Sequence, residues 1–257
     1  MQSPPKSLQS PPSGTGKKSR APFVIVGGAI VAAAAIVGGV IAIPAVSGAS
    51  DAVASGTDEV PSVTGKPALG SPRDPLSADE LGYALHLATA DASVPGDVTS
   101  VDGSEAPQVL SVDVSTRDVD HAERIVDVVL YDYTSNRTIL QAVNLTTGGV
   151  ESSASAGVQP PPSPDEVDYA FGLFLDDAAA SAAVRDEFAA ITGTALESID
   201  QLGVSGGTFL PDASTIGGEA CALDRCVEMQ FRVPGGGYLD TTAFVVDLSA
   251  HTVIGIR

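Results

Sequence analysis

The chain has 257 residues, 44% hydrophobic and 18% charged, with a formal net charge of −19 at pH 7. Lys6, Lys17, Lys18 and Arg20 all precede the first acidic residue, Asp51, so the remainder carries 32 acidic against 9 basic side chains, a balance of −23. That length suits one or two cores of ~100–150 residues, and so acidic a surface repels phosphate backbones, which argues against nucleic acid as a partner.

Residues 1–20 are rich in Pro, Ser and Gly without apolar periodicity, the composition of a disordered tail. Residues 21–46, "APFVIVGGAIVAAAAIVGGVIAIPAV", contain no charge and follow the basic cluster directly. A helix of this length, at ~1.5 Å per residue, exceeds a ~30 Å hydrocarbon core, whereas signal-peptide cores run about 7–15 residues. This predicts a single transmembrane anchor, with the tail cytoplasmic and the acidic bulk extracytoplasmic. Cleavage as a secretory signal near Ala49, after the small residues Ser47 and Gly48, is the alternative. Residues 47–75, again rich in Gly, Ser, Pro and Ala, read as a flexible stalk.

Folding signals begin at Leu76 and occur twice. "SADELGYALHLAT" from Ser77 and "SPDEVDYAFGLFL" from Ser163 each place a serine N-cap three residues before a glutamate, Glu80 or Glu166, which is the capping-box pattern. Leu76 and Leu81 occupy staple positions, and Pro164 takes the first helical position of the second copy. Leu81, Leu85 and Ala88, then Val167, Ala170, Phe171 and Phe174, follow helical spacing. After the first helix, "VLSVDVST", "RIVDVVLYDYT", "TILQAVNLTT" and "VESSASAGV" read as four strands separated by turns.

The second copy adds a helix whose apolar face is Val184, Phe188 and Ile191, stopped by Gly193. Next come a predicted strand around residues 196–204, with "GVSGG" read as a loop, then "CVEMQFRV", "TAFVVDLS" and "TVIGIR". The expected organisation is α+β: domain 1 over residues 76–158, a proline linker, and domain 2 over residues 163–257. Each domain is expected to be a helix on a four-stranded antiparallel sheet. A period near 90 residues fits domain duplication and is too long for a solenoid.

Residues 128–166, "VVLYDYTSNRTILQAVNLTTGGVESSASAGVQPPPSPDE", resemble the noncatalytic N-terminal domain pair of copper amine oxidases. In that family a strand, a turn, a second strand, a proline linker and a capped helix follow in this order. The resemblance covers residues 76–257 and implies two cystatin-like domains. The family's copper-binding and quinone-forming chemistry lies in a larger downstream domain. None of Tyr83, Tyr131, Tyr133, Tyr169 and Tyr238 follows an asparagine, and His86, His121 and His251 are far apart in sequence, so no catalytic, cofactor or metal residue is carried over.

Other candidates read as structural. Asp176 and Asp177 open a helix, where the dipole favours acids. Asn136 and Asn144 lie in Asn-x-Thr sequons. Cys221 and Cys226, the two cysteines of the chain, are expected to form a disulfide outside the cytoplasm. The expected function is a membrane-anchored, extracytoplasmic, noncatalytic binding or accessory protein with a protein partner and no cofactor. The alternatives are a helper of a copper amine oxidase or of copper handling, and a peptidase-inhibitor-like module. The latter departs from the inhibitor hairpin at residues 141–145, "QAVNL", where leucine replaces the final glycine.

Overall fold

A computed structural model of the protein describes residues 61–117 and 122–257. The anchor expected over residues 21–46, the tail before it, residues 47–60 of the stalk and His121 lie outside the described residues. Among the described residues no helix is long and apolar enough to cross a membrane. The described residues fall within one compact unit of the chain.

The architecture is α+β and is written twice. In the first module, α1 (Ala78–Ala90) precedes β1 (Gln108–Val114), β2 (Ile125–Asp132), β3 (Arg137–Asn144) and β4 (Gly149–Ala156), which form an antiparallel meander in sequence order. In the second, α2 (Pro164–Asp176) and α3 (Ala178–Thr192) precede β5 (Gly203–Thr208), β6 (Cys226–Arg232), β7 (Phe244–Asp247) and β8 (Thr252–Gly255), again a sequential meander.

Both predicted capping boxes are present. Ser77 and Ser163 accept from the amides of Glu80 and Glu166, and each glutamate accepts from the amide of its serine. These bonds satisfy helix-start donors that would otherwise need water. Asp177 caps α3 by accepting from Ala179 and Ala180, and Gly193 ends that helix at φ 73°, where glycine has no Cβ penalty.

Each helix buries one face on its own sheet. Tyr83, Ala84 and Ala88 meet Val126, Val128, Leu130, Ile139 and Val143 in the first core. Ala170, Phe171 and Phe174, joined by Val184 and Phe188 of α3, meet Val227, Met229, Phe231, Phe244 and Val246 in the second. Phe174 stacks on Phe244 at 4.7 Å between ring centroids. Offset aromatic pairs of this kind contribute roughly 0.5–1.5 kcal/mol beyond area burial.

Three sequence readings need correction. Ile191 is half exposed rather than part of the packing face of α3, because that helix rests on the sheet only through Val184 and Phe188. The segment around residues 196–204 is mainly a loop with a 3-10 turn at Ile199–Gln201, in which Leu196 is buried, and the strand is "GVSGGT", whose glycines predict a loop. Its glycines have a packing reason: a Cβ on Gly206 would lie 2.7 Å from Val167 Cγ2 and 3.1 Å from Pro162 Cγ. The strand therefore gives up alternating side chains so that the linker and α2 can approach.

The third correction concerns the stalk. Residues 61–75 lie against the first module instead of spacing it from anything: Val63 and Leu69 pack on its core, and Lys66 donates to the carbonyl of Thr146 at 2.6 Å. Gly82 on α1 makes room for this strap, since a Cβ there would collide with the carbonyl of Pro61.

Candidate functional site

The most elaborate side-chain constellation is a buried glutamate–arginine pair, present once in each module. Arg124 and Arg225 stand immediately before the second strand of their sheets, and the amide of each is held by the hydroxyl of Thr146 or Ser249 in the turn between the third and fourth strands. That hairpin repeats closely: Leu145 and Leu248 donate to the carbonyls of Arg124 and Arg225, and Gly148 and His251 both adopt left-handed backbone.

From these positions the guanidinium groups reach the capping glutamates. Arg124 meets Glu80 through Nε at 3.0 Å and Nη2 at 3.2 Å, and Arg225 meets Glu166 through Nε at 2.9 Å and Nη2 at 2.8 Å. The remaining donors bind the strap before each helix. Arg124 donates to the carbonyls of Ser71, Asp74 and Pro75, and Arg225 donates to those of Pro160 and Pro161 and to Gln159 Oε1. All five N–H donors of each guanidinium are used, which is the condition under which a buried ion pair is tolerated.

Burial alone would raise the Glu80 carboxyl, but hydrogen bonds from Arg124 and from the amides of Ser77 and Gly70 outweigh it and hold the group at about 2. Burial works against the charge on Arg225, and the hydrogen bond and charge of Glu166 overcome it, raising its pKa.

The second pair also joins the modules. Tyr133, from the first module, donates to Glu166 Oε1 at 2.5 Å, and Arg225 lies 5.2 Å from the ring centroid of Tyr131. Burial, then the neighbouring Glu166 carboxylate, pushes the Tyr133 phenol up, and burial pushes Tyr131 up to about 12. Asn136, at φ 51°, donates to Asp224 at 3.0 Å and accepts from Ser249 at 2.7 Å. Gln159 donates to the carbonyl of Asp224, and Gln108 donates to Ser163 at 3.3 Å.

Cys221 and Cys226 form the expected disulfide, with sulfurs 2.05 Å apart. It closes the short loop that carries both Asp224 and Arg225, so the bridge staples the part of the second module that grips the first.

The remaining predicted residues do not converge. His86 is half-buried on α1, and His251 sits in a hairpin turn against Tyr169, with ring centroids 5.4 Å apart. Among the described residues no three His, Cys, Asp or Glu side chains are grouped as a metal site. Asp177 is used as a helix cap. Asn144 accepts from the amides of Thr146 and Thr147 and donates to Glu123, so both sequon asparagines are engaged in structure. Gln141 is buried in β3 and donates to the carbonyl of Ala88, and Val143 lies in the core, so "QAV" is part of a sheet strand rather than of a presented hairpin turn.

Sequence reading missed the second role of the capping glutamates. The signal was present: "ERIVD" at residues 123–127 and "DRCVE" at residues 224–228 place an arginine at the same point of each repeat. No protein-family model matches the chain, and no curated protein matches it.

Proposed function

We propose that the protein is a membrane-anchored, extracytoplasmic binding module of two cystatin-like domains, without chemistry of its own. The observation that carries this reading is the junction. The buried ion-paired groups Glu80, Arg124, Glu166 and Arg225, together with Tyr133, are saturated by contacts that fix helix starts, straps and the two modules to each other. Groups held this way serve a rigid scaffold. The uncharged segment at residues 21–46 supports anchoring, and the disulfide supports an oxidising compartment.

The test is chemical cross-linking of the full-length chain in intact membranes, with thiol labelling alongside. The expected result is one defined protein linked from the extracytoplasmic side, with Cys221 and Cys226 unreactive. A chain recovered in the cytoplasmic fraction with free thiols and no linked partner sinks the reading.

A second reading, a helper of a copper amine oxidase, is favoured by the order of helix, four strands, proline linker and capped helix, which is the order that the family resemblance implies. Copper titration separates the two: stoichiometric binding by the full chain favours the helper, and its absence removes the direct metal form of that reading.

A further inference from the structure

We infer that the free edge of β4 is a docking site for an extended, basic peptide segment of a partner protein, added to the first sheet as a fifth strand. This rests on the binding-module reading and names the surface and the kind of partner.

The four edge strands differ in how they are protected. β1 carries a bulge between Val109 and Ser111 and is held at the module junction through Gln108. β5 contains three glycines, at Gly203, Gly206 and Gly207, which weaken it as a template. β8 has four residues, and just past its end Arg257 exchanges two backbone hydrogen bonds with Ile216. β4 has none of these devices. All eight of its residues pair with β3 in unbroken register, from Asn144↔Gly149 to Arg137↔Ala156.

Natural edges are blunted by proline, charged side chains, bulges or short length, and "GVESSASA" has no proline, no lysine and no bulge, with Glu151 as its one charge. Among the described residues no backbone group pairs with its outer side, although Arg137 Nη2 reaches the carbonyl of Ala154 at 3.1 Å. Residues 151–156 are exposed, with side chains of serine and alanine beyond Glu151, so nothing bulky obstructs an added strand.

A cleft of about 560 Å³ opens beside the start of this edge, lined by Ile125, Ala142 and Val150 together with Glu123, Glu151 and Arg117. Arg117 is turned toward Asp127, at 3.4 Å. Asn144 already donates to Glu123 at 2.8 Å, so Glu151 is the rim carboxylate that meets the head of a lysine or arginine, whose stem lies on the aliphatic floor. Strand addition supplies main-chain hydrogen bonds, and such a pocket supplies specificity. A second copy of the chain fits less well: its β4 brings Glu151 and no cation, and its net charge of −19 repels another copy.

The test uses the full-length chain and a short fluorescent peptide that alternates lysine and valine. Saturable binding is expected, weakened about tenfold or more when glutamate replaces lysine in the peptide or when alternate peptide amides are N-methylated. Glu151→Lys and Ser153→Lys, both at exposed positions, are each expected to weaken it by about tenfold, and peptide is expected to slow amide exchange across residues 149–156. Absence of binding, equal binding of the lysine and glutamate peptides, or indifference to both substitutions overturns the proposal. A dimer of the peptide-free chain that Ser153→Lys dissolves overturns it in favour of a second copy. Peptide binding that appears only when residues 47–60 are deleted overturns it in favour of the chain's own segment. A partner cross-linked in membranes away from β4, with no peptide bound, removes this site while leaving the binding-module reading intact.

Discussion

Glu166 and Arg225 meet at 2.8 Å with both side chains fully buried, although 59 residues separate them in the chain. Glu80 and Arg124 repeat the relationship across 44 residues. In each module one carboxylate therefore closes a helix start and receives an arginine that ties down the strap before that helix. Removing either partner strands a buried charge, at a cost of roughly 3–5 kcal/mol. Arg225→Ala and Arg124→Ala are each expected to lower unfolding stability by about this amount in denaturant titrations. Replacing both partners of a pair by apolar residues of similar volume is expected to cost less than either single change. Equal or larger loss in the double variant would show that the pair is worth more than its burial costs.

Acid should act on the first pair in a defined window. The Glu80 carboxyl sits at about 2 in the folded protein against an ordinary value of 4.5. A depressed carboxylate contributes stability that is present above its unfolded value and lost as pH falls through the folded one. The protection of α1 amides, corrected for the intrinsic pH dependence of exchange, is therefore expected to fall between about pH 4.5 and pH 2, and Glu80→Gln to reduce that dependence, with Asp91 at the end of α1 and Asp102, both also held low by hydrogen bonds, supplying the remainder. Burial raises the carboxyl of Asp247 in the second module, which has the opposite sign, so the readout belongs on α1. An α1 protection profile that is the same in the Glu80→Gln variant and the parent chain contradicts the role given to Glu80.

The disulfide should matter beyond its own loop. Cys221→Ser with Cys226→Ser is expected to cost about 2 kcal/mol, the chain-entropy value for so short a loop. Because that loop presents Asp224 and Arg225 to the first module, amide exchange at Tyr133 and Asn136 is expected to rise in the same variant. A stability loss with unchanged exchange at these residues would confine the bridge to a local role.

Close backbone approach gives a further prediction. Gly206→Ala places a methyl 2.7 Å from Val167 Cγ2 and 3.0 Å from Val227 Cγ1, and overpacking of this kind costs typically about 1–3 kcal/mol. The loss is read from thermal unfolding. Gly172→Ala on the exposed side of α2, where a Cβ meets nothing within 4 Å, is the control and is expected to leave stability unchanged or raise it.

Much of this fold was legible because its signals are local. Ser77, Glu80, Ser163 and Glu166 announce helix starts within four residues, the valine-rich run around Val126–Leu130 favours a strand, and Val227, Met229 and Phe231 alternate with Glu228 and Gln230. What stayed hidden depends on distant partners. Gly206 and Gly207 look like loop residues until Val167 and Pro162 are seen to need the space. Val63 and Leu69 are isolated apolar residues in a stalk-like composition, and only the face of α1 shows what they cover. The ion pairs are long-range by nature: no local pattern says that a capping glutamate has a guanidinium waiting just before a strand 44 or 59 residues later.

A photo-cross-linking residue at Ser153 of the full-length chain, activated in its own membrane, tests the central claim most directly. A link to one defined partner through a basic extended segment is expected, lost when Glu151→Lys is added. Links only to a second copy of the chain, or a link unaffected by Glu151→Lys, would contradict it.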